Sequence, residues 1–237
     1  MQSTWDPLRL GPLVWYAATL YDLRINNAGQ VLDWRSRAGD TQRIPSTNSP
    51  NWEANGWGTN LGSVRFSQAA GGPFFASAVA PLSSLGGGAD QPFSILMTVQ
   101  QTLVADHVLV CWDDTTPGSA VSNFRIDNTG GGRIRYSRTD NGGVTQTVTA
   151  SADMGLGHQR VGMAFTGVAA ELFTGRTSFT TGACDVDSMT INRFRFGTGP
   201  VIDAFTGNFA ELVVVERPIS RAEWQAYFDY SVRRWGI

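Results

Sequence analysis

The sequence predicts an all-β protein, an antiparallel β-sandwich with one α-helix at its C-terminal end. Short segments rich in β-branched and aromatic residues recur at the spacing of a sandwich, and glycine-rich loops separate them. The end of the chain reads as strand, proline turn and capped helix. At 237 residues the chain suffices for one large all-β unit with its own core, and residues 1–237 are taken as a single domain.

The predicted strands are residues 63–67, 93–100, 107–112, 122–127, 133–138, 144–149, 159–165, 169–173, 190–196 and 209–215. The clearest hairpin joins residues 133–138 to 144–148 through Asn141-Gly142, a pair that supplies the positive φ angles of a tight primed turn. Alternation sends Ile134 and Tyr136 to one face and Arg133, Arg135 and Ser137 to the other, so one sheet face is expected to be wet. Arg193-Phe194-Arg195-Phe196 repeats the pattern. Loops at Gly71-Gly72-Pro73, residues 86–88 and residues 130–132 separate strands, and the last lacks the context of a phosphate loop.

The C-terminal elements carry the most information. Residues 208–216 form a strand buried on at least one face, and Arg217-Pro218 ends it because proline has no N–H to donate. Ser220 and Glu223 fit a capping box opening a helix over 221–234. Trp224, Tyr227, Phe228, Val232 and Trp235 make one aromatic stripe, expected to cover a sheet edge or to pack near the N-terminal segment. Arg233 and Arg234 suit the last turn, and Gly236 suits the C-cap.

This ending, from Gly207-Asn208-Phe209-Ala210-Glu211 to Trp235-Gly236-Ile237, resembles the close of laminin-G-like, or concanavalin A-like, jelly-roll domains. Upstream, the segments at Val31 to Asp40, Leu61 to Phe66 and Pro92 to Val99 resemble that family's early segments in the same order, although Arg35 to Ala38 depart from its pattern. The resemblance implies a jelly roll. It leaves function open, since this fold hosts lectins, hydrolases, lyases and structural modules.

Composition narrows the choice. Eighteen basic residues, all arginine, face 20 acidic ones, for a net charge of −2. With no basic block, nucleic-acid binding lacks its electrostatic footprint. No apolar run reaches the length of a membrane span, and the N-terminus shows no signal-peptide pattern. The resembling domains usually work outside cells. A phage or phage-like particle, whose parts are made in the cytoplasm, reconciles the two; an extracellular location is the alternative. Cys111 and Cys184 lie far apart, so a disulfide is not indicated, and together with His107 and His158 they offer no zinc spacing.

A jelly-roll glycosidase needs two facing carboxylates. Of five glutamates only Glu211 and Glu216 approach that, and an odd separation sends them to opposite sheet faces. No catalytic residue is predicted. Sugar binding would instead use aromatic faces flanked by hydrogen-bonding groups, or calcium held by oxygen ligands. The first points to Trp52, Asn55 and Trp57, whose rings otherwise plug the sandwich edge, with Trp112, Arg135 and Arg138 as further candidates. The second points to Asp113, Asp114, Asp185 and Asp187, otherwise turn and capping residues.

The expected function is a non-catalytic carbohydrate-recognition module, oligomeric on a particle as spike, fibre or decoration, with host surface polysaccharide and other particle proteins as partners. A purely structural virion protein is the alternative, and an unrecognised glycosidase or lyase the third reading.

Overall fold

The computed structural model describes residues 5–38, 43–57, 61–67, 73–78, 85, 91–103, 105–114, 123–187, 189–198 and 204–236. After a 3-10 turn (Pro7–Leu10) come β1 (Val14–Ala17), β2 (Leu23–Ile25), β3 (Val31–Arg35), β4 (Arg43–Thr47), β5 (Asn51–Glu53), β6 (Ser63–Phe66) and β7 (Phe74–Ser77). Then follow β8 (Phe93–Gln101), β9 (His107–Asp113), β10 (Asn123–Asn128), β11 (Ile134–Thr139), β12 (Thr145–Thr149) and β13 (Gly157–Phe165). The chain ends with β14 (Ala169–Phe173), β15 (Phe179–Ala183), β16 (Arg193–Phe196), β17 (Gly207–Val215) and α1 (Arg221–Trp235).

Among the described residues these strands form two antiparallel sheets packed as a sandwich. The first runs β15-β14-β13-β8-β17-β6-β5, and the second runs β12-β11-β10-β9-β16-β7-β4-β3-β2. One edge of β17 is shared: Gly207 to Phe209 pair with β6, while Glu211 to Val214 pair with β1. That sharing brings the chain's beginning beside its end.

Every residue of β17 is buried, and the reason lies outside the sandwich. Its inner face joins the inter-sheet core, where Phe66, Phe75, Phe196 and Phe209 meet edge-to-face or stacked. Its outer face lies under α1, in a second core that holds Leu96, Val213, Trp224 and Tyr227. A strand covered on both sides reads as a continuous apolar run rather than an alternating one. Gly162 of β13 permits the close seating of α1, since a Cβ there would lie 2.6 Å from the Trp224 ring.

The helix start is built as its sequence suggests. The Ser220 hydroxyl accepts from the Glu223 N–H, and the Glu223 carboxylate accepts from the Ser220 N–H at 2.8 Å. Arg217 pairs with Glu223 at 2.6 Å and draws its carboxyl down to about 2. At the other end Gly236 adopts φ 70° and donates to the Val232 carbonyl. The helix covers a sheet face rather than an edge, and the N-terminal segment does reach it, with Trp5 against Tyr230 at 5.7 Å.

Two expectations are corrected. The β11–β12 hairpin does not turn on Asn141-Gly142: the left-handed residue is Gly143, at φ 84°. Asp140 closes a longer loop by accepting from the Val144 N–H, and Asn141 is spent on Thr190 instead. Strands β1 to β5, β7 and β15 lie outside the predicted set, being short and weakly patterned. The glycines at 71–72 and 86–88 lie outside the described residues. Cys111 and Cys184 are both buried free thiols. Among the described residues no helix is long and apolar enough to cross a membrane.

Candidate functional site

Because β1 and β6 both pair with β17, the loop after β1, the β5–β6 connection and the last turn of α1 converge at one margin of the first sheet. Ala18 is tied there by its N–H to the Ala210 carbonyl at 2.8 Å. Trp52 sits opposite Val64 in the β5–β6 pair and donates its N–H to Gly29. Its ring rests on Gly62, where a Cβ would fall 1.6 Å from the indole. Only glycine admits that contact.

These elements surround an open cavity of about 550 Å³, lined by Tyr21, Trp52, Asn55, Leu61, Arg234 and Trp235 among others. Tyr21 is 93% exposed. The Arg234 guanidinium lies over the Trp235 ring at 5.1 Å. The lining thus combines aromatic rings with an amide and a guanidinium, groups suited to the C–H faces and hydroxyls of a sugar.

Trp57 is not part of that wall. It is buried, with its ring 4.4 Å from His158 and 6.2 Å from Trp235. It therefore supports Trp235 from within, and the expected Trp52/Trp57 pair divides into a lining residue and a core residue. Below the site, Glu211 is fully buried and accepts from Trp15 Nε1 at 2.7 Å and the Tyr230 hydroxyl at 3.1 Å. Burial pushes its carboxyl above the ordinary value, against the pull of Trp15 and Arg234. Glu216 is exposed, so the two glutamates form no facing pair.

The remaining predicted site residues lie elsewhere. Trp112 is buried between Phe124 at 4.7 Å and Phe194 at 4.4 Å, so it cannot offer a face to a sugar. Arg138 is also a core residue: it shares the parity of Ile134 and Tyr136, points inward, and stacks 4.2 Å from the Phe165 ring. Arg135 does reach the outer face, where Asp127 holds it through two bonds of 2.9 Å. Asp127 also pairs with Arg125. Asp113 binds Arg193 and Arg195 from a site where its own side chain is 1% exposed, so its oxygens are committed to arginine rather than to calcium. Asp114 accepts from Asn192 at 2.7 Å.

Asp185 and Asp187 are exposed, and with Asp140 they border a cavity of about 230 Å³. Among the described residues, no group of three His, Cys, Asp or Glu is placed to hold a metal. A polar cavity of similar size is lined by Asp106, His107, Arg125, Asp127, Asn128 and Arg135. Burial lowers His107 to about 4, and neither its ring nitrogens nor the Asn128 amide have a partner among the described residues. Sequence patterning had given no hint of this cavity.

No protein-family model matches the chain, and no curated protein matches it in sequence. Solved structures do match. The IT-sialidase CBM40 of Ruminococcus gnavus, bound to alpha2,3 sialyllactose, has a TM-score of 0.58 at 16% identity, over 70% of this chain and 95% of its own. The botulinum neurotoxin serotype D binding domain has a TM-score of 0.65 at 10% identity, over 95% of this chain and 52% of its own. NanB sialidase from Streptococcus pneumoniae has a TM-score of 0.54 at 13% identity, over 69% of this chain and 27% of its own. The likeness is one of fold.

Proposed function

We propose that this domain is a glycan-recognition module that binds without catalysis, using the cavity between Tyr21, Trp52 and Trp235. The observation that carries this reading is the composition of the wall: the exposed ring of Tyr21 and the half-buried ring of Trp52 beside Asn55 and Arg234, with no carboxylate pair across it among the described residues. The likeness in fold to a CBM40 solved with sialyllactose supports it, as does the resemblance of the chain's ending to laminin-G-like domains. The finer setting in this proposal is display on a phage or phage-like particle, with host surface polysaccharide as ligand. Capsid, portal or tail genes beside this one would support that setting, and a polysaccharide-utilisation cluster would overturn it.

The test is titration of the purified protein against bacterial surface polysaccharides and defined oligosaccharides, with and without a calcium chelator. Saturable, chelator-insensitive binding is expected. Trp52→Ala should weaken it by at least ~30-fold, the loss of a hot-spot side chain of about 2 kcal/mol. Trp52 also packs against the inter-sheet core, so a thermal melt must show that the variant is folded. No binding to any glycan by the folded wild-type protein would sink the proposal and leave a structural particle protein as the better reading. Chelator-sensitive binding that survives Trp52→Ala would move the site away from this cavity.

A further inference from the structure

Arginine is the only basic side chain besides histidine in this protein, and on the second sheet four arginines are held by two acids. Asp113 takes Arg193 and Arg195, and Asp127 takes Arg125 and Arg135. The cavity at the end of α1 is built differently. Among the described residues its lining carries one charged side chain, Arg234, and no carboxylate. Among the described residues no carboxylate lies within ion-pair distance of that guanidinium, and its Nε has no hydrogen-bond partner.

The helix dipole explains a cation in the last turn but not this placement, since Arg233, exposed beside it, already serves that end. Arg234 acts electrostatically on the buried Glu211, but neither carboxylate oxygen lies within ion-pair distance of it, and Oε1 accepts instead from Trp15 and Tyr230. Burial also favours its neutral form, which leaves less negative charge to offset Arg234. A guanidinium beside aromatic rings, with its own acid withheld, is a fork for a planar anion.

We propose that the ligand of this cavity is an acidic glycan whose carboxylate is bound by Arg234, while Trp52 and Tyr21 take the apolar face of the sugar. This rests on the glycan reading of the cavity and adds the chemical class of its ligand. Recognition then has two separable parts. The rings select a sugar, and the guanidinium selects a uronic- or sialic-type unit over a neutral one.

The experiment compares matched oligosaccharides carrying either the free carboxylate or the same group reduced to the alcohol, titrated by calorimetry at low salt. The acid should bind about tenfold tighter, the scale of a charge-assisted bidentate contact, and added salt should narrow the gap. Arg234→Gln should abolish the preference, so that acid and alcohol bind the variant equally, whereas Arg135→Gln should keep the preference. Arg234→Lys should retain only part of it, because an ammonium cannot form the fork.

Equal binding of acid and alcohol by the wild-type protein, or a preference that survives Arg234→Gln, would overturn the inference while leaving the glycan reading intact. Equal binding of sulfated and carboxylated forms would also overturn it, since charge alone would then decide. Failure of both forms to bind, from a protein shown by its melt to be folded, would overturn the glycan reading and this inference together.

Discussion

Two arginine-bearing regions of this molecule look alike in sequence and opposite in structure. On the outer face of the second sheet, Asp113 and Asp127 each clamp two arginines, with the carboxylates buried and several of the guanidiniums half-covered. At the margin of the first sheet, Arg234 stands in an aromatic cavity whose described lining offers it no acid. The first arrangement ties neighbouring strands together and offers little uncompensated charge to a ligand. The second leaves a partly buried guanidinium with no carboxylate at ion-pair distance among the described residues. An arginine count along the chain does not separate the two; the register of the acids does.

The strongest way to break that comparison is at Asp113. Asp113→Ala should cost about 3–5 kcal/mol in denaturant unfolding, because it leaves Arg195 buried without its acid. Where that variant is too unstable to purify, Arg193→Gln serves. Arg193 is about one-third exposed and should cost no more than about 1 kcal/mol. Glycan affinity should be unchanged in either variant that folds. A loss of affinity on Arg193→Gln with an unaltered melt would mean that the ladder is itself a binding surface.

At the cavity the expected effects reverse. Tyr21→Ala removes a ring that is 93% exposed, so unfolding should shift by no more than about 0.5 kcal/mol. Affinity for the glycan should fall by roughly threefold to tenfold, from the lost stacking area. An unchanged affinity would show that Tyr21 is a bystander, and would narrow the exposed aromatic wall to Trp52.

Local rules made much of this legible. The capping box at Ser220 and Glu223, the left-handed Gly236, and the Arg-Phe alternation of β16 needed only spacing. The inward parity of Arg138 was available from the same alternation that placed Ile134 and Tyr136. A guanidinium in a core is uncommon enough that its residue type points outward where its position points inward. What spacing could not supply was long-range pairing. Tyr21 and Arg234 reach Trp52 only because β1 and β6 share one edge of β17. Trp52 and Trp57 are five residues apart in a segment that reads as one polar loop, but Trp52 lies in β5 and Trp57 lies under the helix end, against Trp235 and His158.

The smallest effect concerns Glu211, the buried acid with no arginine at ion-pair distance, and it contrasts with the clamped Asp113. Its folded carboxyl is pushed above the ordinary 4.5, mainly by burial, so the folded protein holds this proton more tightly than the unfolded chain does. Below the unfolded value both states are protonated, and the stability contribution is fully present. As pH rises the unfolded chain ionises first, and the contribution is lost through the folded pKa. Glu211→Gln removes the titration yet keeps a carbonyl oxygen to accept from Trp15 and Tyr230. Urea unfolding of both proteins between about pH 4 and 8 isolates this group, since the other titrations cancel in the difference. Wild-type stability relative to the variant should decline with rising pH. A difference that stayed flat would show that Arg234 and the indole donors compensate the buried charge, so that Arg234 would already be answered from within and less available to a ligand.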